Sequence, residues 1–169
     1  MKLKFLLLFF SAALLLSACS TDTADYKSPV TFYYILNDPE IGTAEGVIKA
    51  TTREADGHRD DYAHLIALYL NGPITYDCVS PFPAGTTLEE LHWDQNRVQV
   101  ILSPQITTLN GVNLTIACAC LTRTVADITG IDTVQVRSSV GLLNGEQVLT
   151  FTTDSFLYQD SATPSNSSN

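Results

Sequence analysis

Val112-Asn-Leu-Thr-Ile-Ala-Cys-Ala-Cys-Leu-Thr-Arg-Thr-Val-Ala-Asp-Ile-Thr129 is the stretch on which the reading of the fold turns. Its apolar positions Leu114, Cys118, Leu121, Val125 and Ile128 recur at steps of three and four, the spacing of one helix face. Gly130 follows as a stop signal. The spacing predicts a helix with a single buried stripe, Cys118 on it and Cys120 off it. On the N-terminal side, Leu88 to Trp93 and Arg97 to Leu102 alternate like the arms of a hairpin around Gln95-Asn96, and Ser103-Pro104 ends the second arm. On the C-terminal side, Thr133 to Val140 and Gln147 to Thr152 are β-rich runs around Asn144-Gly145, a strong hairpin signal.

Further out, Val30-Thr-Phe-Tyr-Tyr-Ile-Leu36 is aromatic and β-branched and stops at Asn37-Asp38-Pro39, which predicts a strand and a turn. A second strand is predicted over Val47 to Thr52. Asp60 to Leu70 carries acids, then apolar residues at helical spacing, then Asn71-Gly72-Pro73, which predicts a helix capped by Asp60. Ile74 to Thr87, rich in proline, reads as a long irregular connection. The order β-β-α-β-β-α-β-β defines an α+β domain, with two helices packed on one face of a largely antiparallel or mixed sheet.

The N-terminus resembles a bacterial lipoprotein signal. Lys2 and Lys4 precede the apolar run Phe5 to Leu16, and Leu16-Ser17-Ala18-Cys19 provides the small residues before a cleavage point. The apolar run is too short to span a bilayer of about 30 Å as a helix. The resemblance implies cleavage after residue 18, lipidation of Cys19 and anchoring at the extracytoplasmic face of the cell membrane. Two or more acyl chains give stable attachment. Residues 19–29 then form a polar tether, 30–158 the folded domain and 159–169 a polar tail.

Nine basic groups face 18 acids, a net charge of −9. Loss of Lys2 and Lys4 with the signal would leave seven basic groups against the same acids. Nucleic acid is excluded as a partner, because phosphate binding needs clustered Lys and Arg and none occurs. Anionic head groups would repel the domain, so membrane association falls to the lipid alone. Cys78, Cys118 and Cys120 are an odd set, so at least one is free or paired elsewhere. Cys118-Ala-Cys120 lacks the two-residue spacer of redox and metal pairs. A bridge from Cys78 to Cys118 or to Cys120 is one reading of the set, and buried thiols acting as small apolar groups are the default.

The folded segment resembles the GerM-type (GerMN) domain of sporulation and spore-germination lipoproteins. The likeness rests on the segment order and on short stretches: Val30-Thr-Phe-Tyr-Tyr34, Leu70-Asn-Gly-Pro73, Pro83-Ala-Gly-Thr86, Val98 to Ser103, and Leu121 to Val136. The resemblance implies a non-enzymatic module that docks onto other envelope proteins or joins a channel-like assembly, with no cofactor, no metal and no catalytic residues to carry over. Members known for tandem domains differ from this chain, which has room for one.

Candidate chemistry among the residues themselves is sparse. His58 and His64, six apart, would lie on opposite sides of a helix, and His92 is remote. Asp60 and His64 are at i and i+4 and could meet, which makes them the only nominated pair for hydrolysis. Glu89 and Glu90 would point to opposite faces of a strand, as edge charge rather than an acid/base pair. No nucleophile elbow or phosphate loop is present. Tyr33, Tyr34, Tyr62, Tyr69, Tyr76 and Trp93 could line a stacking groove for a cell-wall polymer such as peptidoglycan. Alternation splits Phe32 and Tyr34 from Tyr33, so core packing is the stronger use.

Overall fold

Strand β1 (Pro29–Leu36) is the hub of the architecture. Its even positions Val30, Phe32 and Tyr34 are buried, while Thr31, Tyr33 and Ile35 are half-buried, the alternation that places one apolar face on a core. The structure, a computed structural model, describes residues 29–37, 47–55 and 57–156. Residues 1–28 and 157–169 lie outside that description, and with them the signal, Cys19, most of the tether and the tail.

Two sheets form where the sequence suggested one. Strand β2 (Ile48–Glu54) pairs antiparallel with β1 in the register Pro29↔Glu54 to Ile35↔Ile48, and the two-residue strand β3 (Cys78–Val79) pairs with the end of β1. The second sheet runs β4 (Leu88–Trp93), β5 (Val98–Leu102), β6 (Thr133–Ser138), β7 (Leu149–Thr152). Within it β5 and β6 are parallel and the other pairs antiparallel, so the fold is α+β with one antiparallel and one mixed sheet. A parallel pair requires a crossover, and a helix supplies it.

That helix is the long one of the pair, α1 (Tyr62–Leu70) and α2 (Gly111–Thr129). Helix α2 packs against β1 of the first sheet and against β6 and β7 of the second, while α1 packs on β4 and on α2. Between two sheets it buries more than a stripe: Ala117 through Thr122 are all inaccessible. Cys120 is therefore as buried as Cys118, contrary to the periodicity. The signal was present, since Ile116 to Leu121 contains no polar residue and a helix apolar all round is a buried one.

Because β3 is only two residues long, β1 has no strand beside Tyr33 on the side away from β2. Helix side chains close the gap. The Tyr33 N–H donates to Thr124 Oγ1 (3.0 Å), and the Tyr69 hydroxyl donates to the Tyr33 carbonyl (3.0 Å). The Tyr34 hydroxyl in turn donates to the Tyr69 carbonyl (3.0 Å). A buried backbone group without a partner costs about 1–3 kcal/mol, so Thr124 and Tyr69 are where they are for the sake of that strand. Tyr33 also ties β1 to α2 from outside: its hydroxyl donates to Asp127 (2.9 Å) and the Arg123 guanidinium sits 4.7 Å over its ring.

Helix α1 is capped by Asp61 rather than Asp60. Its carboxylate accepts from the His64 N–H at 3.0 Å, the usual way an N-cap satisfies an orphan donor. The Asn144-Gly145 turn forms, both residues at positive φ and flanked by the bridge Leu143↔Glu146. The strands it joins are shorter than predicted, however, and pair only from Val136↔Leu149 outward to Thr133↔Thr152.

Candidate functional site

The two loop stretches Leu70-Asn-Gly-Pro73 and Pro83-Ala-Gly-Thr86, separate in sequence, line one groove of about 490 Å³ together with Ser80, Phe82 and Thr87. Each stretch holds a glycine in the left-handed region, Gly72 at φ +94° and Gly85 at φ +81°, where other residues are strained. The second turn is pinned by Thr86, whose N–H and hydroxyl both donate to the Pro83 carbonyl (3.1 and 2.8 Å). The turn after α1 and the approach to β4 are thus set by backbone geometry, and their meeting makes the groove.

The chain that crosses from one wall of the groove to the other carries exposed apolar side chains. Ile74 is 67%, Tyr76 99% and Val79 40% exposed. The segment is nonetheless held in place. Asn37 donates from its N–H to the Asp77 carbonyl (2.8 Å) and from Nδ2 to the Tyr76 carbonyl (3.1 Å), and Lys49 Nζ pairs with Asp77 at 2.5 Å. The Lys49 ammonium and the Thr75 hydroxyl hold the Asp77 carboxyl down at about 2. An apolar ridge on a fixed loop is the surface that association favours, since little further ordering is needed on contact.

The residues nominated from sequence fall out differently. Cys78, Cys118 and Cys120 are all buried free thiols, so the bridge from Cys78 to Cys118 or Cys120 is not formed. Burial pushes Cys118 and Cys120 up to about 12, and raises Cys78 as well, the opposite of the low values that reactive thiols need. His58 precedes the helix instead of belonging to it: its carbonyl accepts from the Asp61 N–H, and the turn folds its ring onto His64 at 4.1 Å between centroids. The histidines expected on opposite sides are therefore stacked, and Asp60, exposed, has no part in the contact. Among the described residues no three His, Cys, Asp or Glu side chains gather into a metal-ligand set.

Strand β4 carries a bulge between Leu88 and Glu90, which leaves Glu89 and Glu90 both exposed instead of alternating. Glu90 shares a face with His92, their side chains 2.9 Å apart. β4 is an edge strand, as the paired carboxylates implied. The aromatic set divides. Tyr34 and Tyr69 are in the core with Phe32, centroids 5.0 to 6.4 Å apart, Tyr62 meets Trp93 edge-on at 5.8 Å, and Tyr76 stands alone on the ridge. A single stacking groove built from all six does not exist.

Comparison with known families decides the relationship. The family model described as Germane, sporulation and spore germination, matches residues 31–139, well over half of the chain. The chain belongs to the Germane family. Its fold is similar to the tandem GerMN domains of the sporulation protein GerM from Bacillus subtilis, at TM-score 0.59 and 16% identity, covering 81% of this chain and 49% of that one. It thus spans about half the length of the tandem protein. The first GerMN domain of the same protein alone matches at TM-score 0.52 and 16% identity, over 70% of this chain and 91% of that one. At such identity the likeness establishes the fold. None of the curated proteins compared with the chain matches it. All the loop stretches that line the groove lie inside the matched span.

Proposed function

We propose that the chain is a non-enzymatic docking module of the cell envelope, attached to the membrane by lipid on Cys19 and active in sporulation or spore germination through its partners. The observation that carries the reading is the fixed apolar ridge Ile74, Tyr76 and Val79 beside the groove formed by two Germane loop stretches. Side-chain chemistry agrees with it: the thiols are buried with raised pKa values, no carboxylate among the described residues joins the His58–His64 stack, and Glu89 and Glu90 serve an edge. Membership of a family linked to sporulation supports the setting, and the Leu16-Ser17-Ala18-Cys19 stretch supports the anchor.

The test is a photo-crosslinking residue at position 76 in living cells, followed by detergent extraction and mass spectrometry. One defined envelope protein in high yield is the expected product. Recovery of the uncrosslinked protein alone would remove the docking reading. Mass spectrometry of the extracted protein also tests the anchor, which requires a mature N-terminus at Cys19 carrying acyl mass. A wall-polymer reading retains one place, a smaller polar cleft of about 330 Å³ lined by His92, Asp94, Arg97, Gln99 and Gln135 with Trp93. Sedimentation with purified cell wall, compared between the wild type and Gln135→Ala, tests it.

A further inference from the structure

The two sheets present four edge strands, β2 and β3 in one and β4 and β7 in the other. Three are defended in the ways that keep edges from pairing with other chains. β2 carries Lys49, Arg53 and Glu54. β3 is two residues long. β4 carries Glu89, Glu90 and His92 and is kinked by its bulge. β7 is four residues long and its Thr152 N–H is taken by Ser155 Oγ (2.8 Å), but it has no charge or bulge of its own. It reads Leu149-Thr-Phe-Thr152, β-branched and aromatic, without charge, proline or bulge. Its outer edge meets no other strand among the described residues.

We propose that β7 is a strand-addition site for an extended segment of another protein, apolar at alternate positions and flanked by basic residues. The alternation follows from the sheet. Leu149 and Phe151 pair with Val136 and Val134 on the face that α2 covers, and Phe156 stacks on Phe151 at 5.1 Å, so an added strand would extend an apolar layer on that face. On the other face Thr150 continues a polar row, since Gln99 donates to Gln135 at 3.2 Å and Gln135 to Thr150 at 3.5 Å. Polar residues suit the guest there.

The basic flanks follow from charge. Glu146 precedes β7 and Asp154 follows it, both exposed. A second copy pairing antiparallel about the strand centre would bring Glu146 of each to within about one residue of the position facing Asp154 of the other, on chains that each carry a net charge of −9. Like charges gathered at both ends of the paired strands repel, so the site favours a foreign basic segment over its own copy. This rests on the docking reading above but uses a different surface from the ridge at Tyr76.

The experiment uses the full-length protein in detergent and a synthetic peptide Lys-Lys-Val-Thr-Val-Thr-Val-Lys-Lys, with binding read by fluorescence anisotropy and amide hydrogen exchange. The expected result is slowed exchange confined to Leu149–Thr152. Binding should weaken at least tenfold when the flanking lysines are replaced by glutamates, or when the central Val is replaced by Pro. Thr150→Lys, an exposed change, should weaken the lysine-flanked peptide by a similar factor. Three outcomes would overturn the proposal: equal binding of the proline peptide, protection on another strand, or the outward-facing β7 amides, those not bonded to β6 or to Ser155, already protected without peptide or protected in proportion to protein concentration. The last would identify the chain's own tail or a second copy as the occupant. A defined crosslink from position 76 with no peptide effect at β7 would leave the docking module standing and remove only this site.

Discussion

The far edge of β1 and the outer edge of β7 are the same structural problem met in opposite ways. At β1 the chain spends two buried side chains, Thr124 and Tyr69, to satisfy the N–H and C=O of one residue. At β7 the edge is uncharged and, among the described residues, no strand lies beyond it. The difference lies in where each edge sits. β1 packs under α2, and helix side chains cover its Tyr33 groups, whereas among the described residues the last strand of the second sheet has no strand bonded along its outer side. Edge chemistry thus separates structure from availability: a closed edge reports on stability, an open one on association.

The strongest way to break the closed edge is Tyr69→Ala. It removes a fully buried ring that touches Phe32, Tyr34 and Phe82, and orphans the Tyr33 carbonyl. The expected loss is about 3–5 kcal/mol in denaturant unfolding, enough to unfold a marginal domain. Alkali should act next. Cys118 and Cys120 are raised from 9.0 to about 12 by burial, and the Tyr34 and Tyr69 phenols are raised as well. Groups raised on folding contribute stability that is whole below the unfolded value and is lost above it. Stability should therefore hold to about pH 9 and fall from there toward 12, in unfolding curves taken across that range.

Thr124→Val keeps the shape but removes the acceptor for the Tyr33 N–H, with an expected cost of about 1–3 kcal/mol. The comparison with Thr150→Val on β7, exposed and on the open strand, sharpens the contrast, since that change should stay within about 0.5 kcal/mol. Glu89→Val with Glu90→Val should likewise leave the unfolding midpoint nearly unmoved, yet raise light scattering on incubation, because it strips the defence of β4. The smallest effect belongs to Asp77. Its carboxyl is lowered from 3.8 to about 2, so what it contributes is present above the unfolded value and fades as pH falls through that interval. As the pair with Lys49 is at the surface, raising salt should erase the dependence.

Much of this was legible in the sequence where the signal is local. The period of Leu114 to Ile128 and the stops at Gly130 and Asn71-Gly72-Pro73 located both helices, and the β-branched runs located the strands. What failed was non-local. Division into two sheets depends on β5 pairing in parallel with β6 across α2, a choice no local pattern encodes. Cys120 was misjudged because one periodic stripe was counted when α2 has sheets on two sides. The cap shifted from Asp60 to Asp61 because a turn from His58 to Asp61 sets where the helix begins, and the same turn brought His58 onto His64. The groove was half legible: each loop stretch carried its glycine and proline, but their convergence is a product of the fold.

The placement of α2 between β1 and the pair β6, β7 has a consequence for how the domain comes apart. Neither sheet keeps its cover if this helix melts, and the crossover between β5 and β6 passes through it. Fluctuations that release α2 amides must therefore release β1 and β6 with them, so these three elements form one cooperative opening unit. Native-state hydrogen exchange should find a single slowest class spanning β1, α2 and β6, while β3 and β7 exchange ahead of it, which places the two peripheral strands outside the event that defines global unfolding.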